Sequence, residues 1–405
     1  MIRNSLLIFS VIIVLAATSA CSSDDAGVGT PSEYVDDDRI YVGHQGIRKA
    51  EGIDDATDED DASAPIITES FKEGDLLFFS QLPRLGIPNF TDDPEALNYQ
   101  YVYQYNPEND ATWSSGYNFK VKPGRMGFDW DEVISVGANG NTFKFFGFFF
   151  PGSQEPVWSV KEDQTGGTEN QYDKGNFISS DIMGAYHATS AIYTRMRFRL
   201  FHLMTYLMVK IYVPVYDGTT ADYDHLSYSG FNEGALQGAY VLNAFTDFKI
   251  EWAASKSSDT EAPLVQADDS KPRRNIKMYR HDINESEIKE IDVTPYYGGT
   301  VEGIENNLDN VRTYQFSVLF PTQNLNNNFL CFALTTPGGD TKYYYFNPEW
   351  LIGGAGKLFG LTQGTLQQLT LYLPRKTNQT ILVGAKILPW KESATDMTVN
   401  KQTNE

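Results

Sequence analysis

One segment constrains the fold more than any other: residues 195–213, long and apolar enough to pass for a membrane helix, in which Arg195, Arg197 and Arg199 alternate with Met196, Phe198 and Leu200. A period of two puts three charges on one face of a strand and the apolar groups on the other. In a lipid-embedded helix the same arginines would lie on several sides and each would cost roughly 3 kcal/mol near the centre. Leu207, Val209, Ile211 and Val213 alternate in the same way, so the segment predicts two consecutive strands with a bend near His202.

Other parts of the chain repeat this grammar. Phe71-Lys-Glu-Gly74-Asp75 makes a turn into the apolar run 76–79, and the tyrosines of 99–105 alternate onto one face. Phe143 to Phe150 is an aromatic run closed by Pro151-Gly152. It reads as a core strand, with an aromatic ligand platform as the alternative. Further strands are expected over 40–47, 243–252, 314–320, 329–334, 342–346, 365–373 and 381–390. Aromatic residues make up 14% of the chain, with Asn, Gly, Thr and Asp filling the gaps between the runs. That is the composition of strands joined by turns, and it predicts an all-β protein.

The net charge of −21 argues against nucleic acid, because phosphate binding needs clustered Lys and Arg. Residues 1–25 combine a charged start, an apolar run over 6–17 and small residues before Cys21, which reads as a lipoprotein signal peptide (1–20) with Cys21 lipidated. The apolar run is too short to cross about 30 Å of hydrocarbon comfortably. The acidic pair Asp24-Asp25 resembles the export tag of surface-displayed lipoproteins of the Bacteroidota, which implies the outer face of the outer membrane. With the leader removed, the chain is long enough for two sizeable cores. Cys331, in an apolar run, is the only other cysteine; once Cys21 is lipidated no intramolecular disulfide can form, and Cys331 reads as a small buried hydrophobe.

From Ser22 to about Ala64 the chain is acidic, densest at Asp36-Asp37-Asp38 and between Asp54 and Asp61. Such runs repel themselves and are solvated. A calcium loop would need a Gly at its sharp turn, and the run 54–61 has none. Within this acidic stretch the strand-like island 40–47 is followed at once by Arg48-Lys49.

Catalytic signatures are weak. His44, His187, His202, His225 and His281 are far apart and none falls in a metalloprotease helix pattern. There is no Gly-x-Ser-x-Gly elbow, and the glycine-rich stretch 353–360 fails both the phosphate-loop and the dinucleotide spacings, with Leu358 where a magnesium-binding Ser or Thr belongs and Phe359 at the last glycine position. Paired carboxylates for glycoside hydrolysis cannot be read from one sequence. The chain is read as a non-enzyme without metal or cofactor.

Over nearly the whole mature chain, the order of segments resembles the fimbrillin family, the pilus subunits of Bacteroidota. The resemblance lies in Cys21, the early strand ending in Arg48, Phe71-x-x-Gly74-Asp75, the aromatic strand ending at Phe150-Pro151, Asp181-Ile-Met-Gly-Ala185, Phe201-His202 opening a long strand, Gln363-Gly364-Thr365 and Trp390. A Met-rich run after His202 and the Arg-Lys pair depart from the family pattern. The resemblance implies two transthyretin-like β-sandwich domains in tandem, expected over 39–190 and 191–405 after an acidic linker at 21–38. It also implies assembly: an arginine-specific protease cuts after Arg48, frees the first strand, and the groove accepts a strand from the next subunit by β-augmentation. Arg39 is the other arginine nearby, but a cut there would release no strand. The donor is expected in the C-terminal region, where Ile381, Val383, Ala385 and Ile387 alternate on one face.

The function expected is therefore a surface pilus subunit that serves adhesion, with other pilin subunits, the protease, the outer membrane and surface ligands of host or bacteria as partners. A monomeric surface lipoprotein binding glycans through exposed aromatics is the alternative, and a lipidated hydrolase comes third.

Overall fold

The computed structural model describes residues 39–44, 72–81, 101–105, 117–138, 142–166, 175–190, 197–218, 230–251, 262–284, 286–292, 307–326, 328–346, 359–374 and 378–389. Described strands dominate, in several sheets, so the all-β reading holds.

The first set of strands comprises β1 (Arg39–His44), β2 (Leu76–Gln81), β3 (Tyr101–Tyr105), β4 (Tyr117–Val121), β5 (Phe143–Phe149), β6 (Met183–Thr189) and β7 (Arg197–His202). They join in the order β1-β4-β3-β2-β5-β6-β7, and β7 pairs back onto β1 to close a barrel. The continuous apolar runs of β2 and β5 have a direct cause in this arrangement. Leu77, Phe79, Phe145 and Phe149 fill the barrel core, while Leu76, Phe78, Phe146 and Phe148 join a second, larger core outside it. A strand covered on both faces has no polar face to alternate with. Tyr101, Tyr103 and Tyr105 lie in the barrel core, as their spacing predicts for one face, and Val102 between them faces the larger core.

A short helix, α1 (Trp130–Val136), adds Trp130 and Val133 to the barrel core. Asp129 caps it, its carboxylate accepting from the Asp131 amide at 2.8 Å. At its other end Gln81 Nε2 donates to the carbonyls of Val133 and Gly137, each at 3.1 Å. A single-turn helix, α2 (Asn176–Ser179), precedes β6.

The remaining strands are β8 (Thr205–Pro214), β9 (Leu236–Ala244), β10 (Phe248–Glu251), β11 (Leu264–Ala267), β12 (Arg274–Lys277), β13 (Tyr279–Arg280), β14 (Lys289–Asp292), β15 (Asn307–Phe320), β16 (Gln323–Leu325), β17 (Leu330–Thr335), β18 (Thr341–Phe346), β19 (Phe359–Leu361), β20 (Thr365–Tyr372) and β21 (Ile381–Pro389). A six-stranded sheet, β13-β15-β8-β20-β21 with β14 also on β15, faces a four-stranded sheet, β12-β9-β17-β18. The two meet through the larger core, for example Phe316 of β15 and Phe332 of β17, with ring centroids 6.4 Å apart. The small pairs β10-β11 and β16-β19 stand beside them.

The described part of the 195–213 segment, 197–213, forms two strands, as its alternation predicts. β7 ends at His202 and β8 begins at Thr205, so sheet membership changes across Leu203 and Met204.

Barrel and sandwich are joined by more than this crossing. The stretch after β5 lies along the sandwich edges: Trp158 O accepts from Phe248 N at 3.1 Å, Val160 N donates to Thr246 O at 3.0 Å, and Glu162 O accepts from Lys277 N at 2.7 Å. Gln164, fully buried, donates to Leu319 O at 2.7 Å and accepts from Leu319 N at 3.0 Å. Trp158 packs edge-on against Phe150 of the barrel side and Phe248 of the sandwich side, at 5.2 Å and 5.7 Å.

Candidate functional site

β1 is the element whose placement carries the most chemical consequence. It sits between β4 and β7, antiparallel to the first, with Arg39↔Lys120 and Val42↔Tyr117 at the ends of the register, and parallel to the second, from Tyr41↔Arg197 to His44↔Leu200. Ile40 is the register partner of Phe119, and His44 of Leu200; both Phe119 and Leu200 are fully buried in the barrel core. β1 is thus paired on both sides with strands that contribute to the barrel core.

β1 is the first of the described strands, yet its sheet neighbours are β4 and β7, and two strands, β4 and β3, separate it from β2, the next described strand in sequence. β1 and β2, consecutive among the described strands, are therefore not a hairpin pair. Net stabilisation of about 0.5–1.5 kcal/mol per ladder hydrogen bond gives a six-residue strand a finite hold. Its departure would leave facing edges of β4 and β7 with unpaired N–H and C=O groups, the situation that β-augmentation relieves. Arg48 and Cys21 lie outside the described residues, as does the acidic run 54–61.

The far end of β7 is pinned. His202 Nδ1 and Asp181 Oδ1 are 2.7 Å apart, with each side chain 4% exposed. Leu203 N donates to Ile182 O at 2.9 Å, and Gly364 N to Met204 O at 3.1 Å, which ties the β6–β7 junction to the start of β20. Both residues of the pair stand in the segments quoted for the family resemblance, but no spacing signal says that they meet. Gly184 beside them has a packing reason: a Cβ there would lie 2.8 Å from Leu203 Cδ1 and 2.9 Å from Phe148 Cε1.

β21, the expected donor, is an edge strand whose ladder partner is β20. The single apolar face expected for Ile381, Val383, Ala385 and Ile387 is not what forms. The register shifts between Thr370↔Gly384 and Leu371↔Leu382, a bulge that inserts Val383. Ile381 and Val383 pack with Tyr212, Val311 and Tyr372 on one side of the sheet, whereas Ala385 packs against the larger core on the other. Ile387 is the register partner of Gln367.

The aromatic runs are core. Phe145, Phe146, Phe148, Phe149 and Phe150 are buried, and among the described residues Tyr343, 51% exposed, is the one aromatic in the exposed class. Cys331 is buried and accompanied by Tyr345; burial pushes its thiol up to about 11, the Tyr345 hydrogen bond opposing. Among the described residues no group of three or more His, Cys, Asp or Glu is placed to hold a metal ion, and no helix is long and apolar enough to cross a membrane.

No protein-family model matches this chain, and no curated protein matches it. Solved structures do. A candidate cell adhesion protein from Bacteroides uniformis is 13% identical, with 88% of this chain and 100% of that chain covered, at a TM-score of 0.40. One from Bacteroides ovatus is 10% identical over 87% of this chain and 97% of that chain, at 0.41. The tip fimbrial protein Mfa3 from Porphyromonas gingivalis is 10% identical over 87% and 100%, at 0.34. At such identities and scores the likeness by itself assigns neither fold nor function to this chain.

Proposed function

We propose that this chain is a structural subunit of a surface pilus that serves adhesion and polymerises by strand exchange. In this reading it is carried to the outer membrane by lipid on Cys21, cut after Arg48 by an arginine-specific protease, and joined to the next subunit when a C-terminal donor strand containing Ile381, Val383, Ala385 and Ile387 replaces β1. The two sets of strands would then correspond to the tandem transthyretin-like domains of the resembling family. The observation that carries the reading is the place of β1: the first of the described strands, closing the barrel between β4 and β7, with Arg48 four residues beyond its end in the sequence. Cleavage there separates lipid and first strand from the body in one event. Repeated head to tail, a heterologous contact of this kind makes a filament and not a closed ring.

The test is to incubate the purified precursor with an arginine-specific protease and follow fragment masses and oligomeric state. The expected outcome is a cut after Arg48, loss of the β1 fragment and a ladder of oligomers, abolished in Arg48→Ala. A protein that is cut and stays monomeric sinks polymerisation and leaves a surface lipoprotein whose glycan binding a sugar array would reveal.

A further inference from the structure

The outward face of the four-stranded sheet gathers tyrosines. Leu330, Phe332 and Leu334 of β17 belong to the larger core, with Tyr344 and Phe346 of β18 and Ala239 and Val241 of β9 beside them. The alternate residues of these strands therefore face away from the other sheet. Cys331 stands between Tyr345 of β18 and Tyr240 of β9, and Ala333 between Tyr343 and Gly238. Thr335 and Thr341 pair at one end of the same face.

Gly238 decides how Tyr240 lies. A Cβ there would be 3.2 Å from the Tyr240 hydroxyl oxygen and 3.3 Å from both Cε2 and Cζ. Near-equal distances to three atoms of the phenol mean that the ring lies across the glycine, with one face on the sheet and the other turned outward. Beyond Ala333, two strand spacings or about 10 Å from Gly238, Tyr343 is 51% exposed.

The chemistry of this face is neutral. In a chain of net charge −21, the outward positions of β17 and β18 are Cys331, Ala333, Thr335, Thr341, Tyr343 and Tyr345, none of them charged. β12 brings Lys277 opposite Tyr240, and its ammonium lies 3.8 Å from Asp163. Aromatic faces take the apolar C–H side of a sugar ring, while phenol and threonine hydroxyls can donate to and accept from its hydroxyl groups. A second copy of the chain would need more surface: three tyrosines, one half exposed and two partly buried, offer at most about 300 Å², against about 800 Å² per partner in a stable protein interface.

We propose that the outward face of β9, β17 and β18 binds a neutral saccharide, one sugar ring seated over Ala333 between the flat ring of Tyr240 and the exposed Tyr343. It gives a ligand class to the adhesion in the reading above, and it depends on neither cleavage nor strand exchange. If the tyrosines only shield the sheet and Cys331, the face binds nothing.

The test presents the whole, uncut chain to an array of neutral, sialylated and sulfated oligosaccharides, followed by calorimetric titration with the neutral sugar that captures most. Capture on neutral spots and a saturable heat are expected. Tyr343→Ser should weaken binding about three- to tenfold at an unchanged melting temperature, and Tyr240→Ser combined with it should abolish binding. Gly238→Ala keeps every tyrosine but lifts Tyr240 off the sheet, and it too should weaken binding. No capture on neutral spots, capture on anionic spots alone, or equal capture by the double variant overturns the site. Should the variants at 238 or 240 fail to fold, Tyr343→Ser decides, and unchanged affinity rejects the assignment. An oligomer that Tyr343→Ser dissociates, with no sugar captured, makes the face a subunit contact and also overturns it. Failure here leaves the Arg48 cleavage and laddering assay untouched, so the two readings fail separately.

Discussion

Asp268 shows how a single carboxylate is paid attention by its neighbours. Burial alone would raise its pKa, but hydrogen bonds from Lys249, at 2.7 Å, and from the Ser270 hydroxyl and amide, at 2.6 and 3.0 Å, together with the Lys249 charge, hold it below the ordinary carboxylate value. A depressed folded-state pKa contributes stability above the unfolded value of about 3.9 and loses it as pH falls through the folded value. Lys249 is half exposed, so solvent screens its share, and the two Ser270 bonds add to it. Asp268→Asn is expected to lower stability by about 1 kcal/mol at neutral pH, with urea midpoints of variant and wild type converging as pH falls through the lowered carboxylate value. A gap that persists in acid would mean that the charge was not the cause. Gly184 acts at the same scale through space alone. Gly184→Ala would force Leu203 or Phe148 to shift, at about 1–3 kcal/mol, and an unchanged melting temperature would show the contact to be soft.

Among the elements, β1 matters because its hydrogen bonds run to both sides. Proline at Val42, paired with Tyr117 and Phe198, removes one N–H from a strand with two ladders and leaves its acceptor unpaired, a loss of about 1–3 kcal/mol. After a cut in the 45–71 connection, Val42→Pro is expected to release the N-terminal fragment at least about tenfold faster than the parent, by size exclusion. Equal retention would show that pairing does not hold β1. The sequence reading of elements was strongest where period two or a long apolar run was present. The strands at 101–105, 143–149, 205–214, 365–372 and 381–389 lie where alternation and aromatic runs put them. β4 and β6 escaped because Tyr117–Val121 is short and mixed, and β6 ends in His187 and Thr189 on a half-buried stretch. β12 to β14 are polar edge pieces whose strand state is imposed by β9 and β15.

At the scale of the molecule, the stretch 158–164 laces the barrel side to the sandwich, and Gln164 is its most buried polar link. Gln164→Leu would strip partners from both the N–H and the C=O of Leu319, at about 2–4 kcal/mol. If barrel and sandwich unfold as one cooperative body, calorimetry should show a single transition that moves as a whole in the variant. Two transitions, with one unmoved, would instead describe independently folding tandem domains.

Read alone, the sequence determined which residues share a face along strands such as β3 and β8, and hence the all-β class, the burial of Cys331, and the break between β7 and β8. Tertiary structure alone decided which strands are neighbours. It closed the barrel by setting β1 between β4 and β7, brought Asp181 to His202, and split the 381–385 stripe at a bulge. The reason is physical: periodicity is written in side chains, but ladder hydrogen bonds are made by backbone groups that are the same at nearly every residue. Partner and register are therefore set by the packing of the whole chain, which no local stretch of sequence contains.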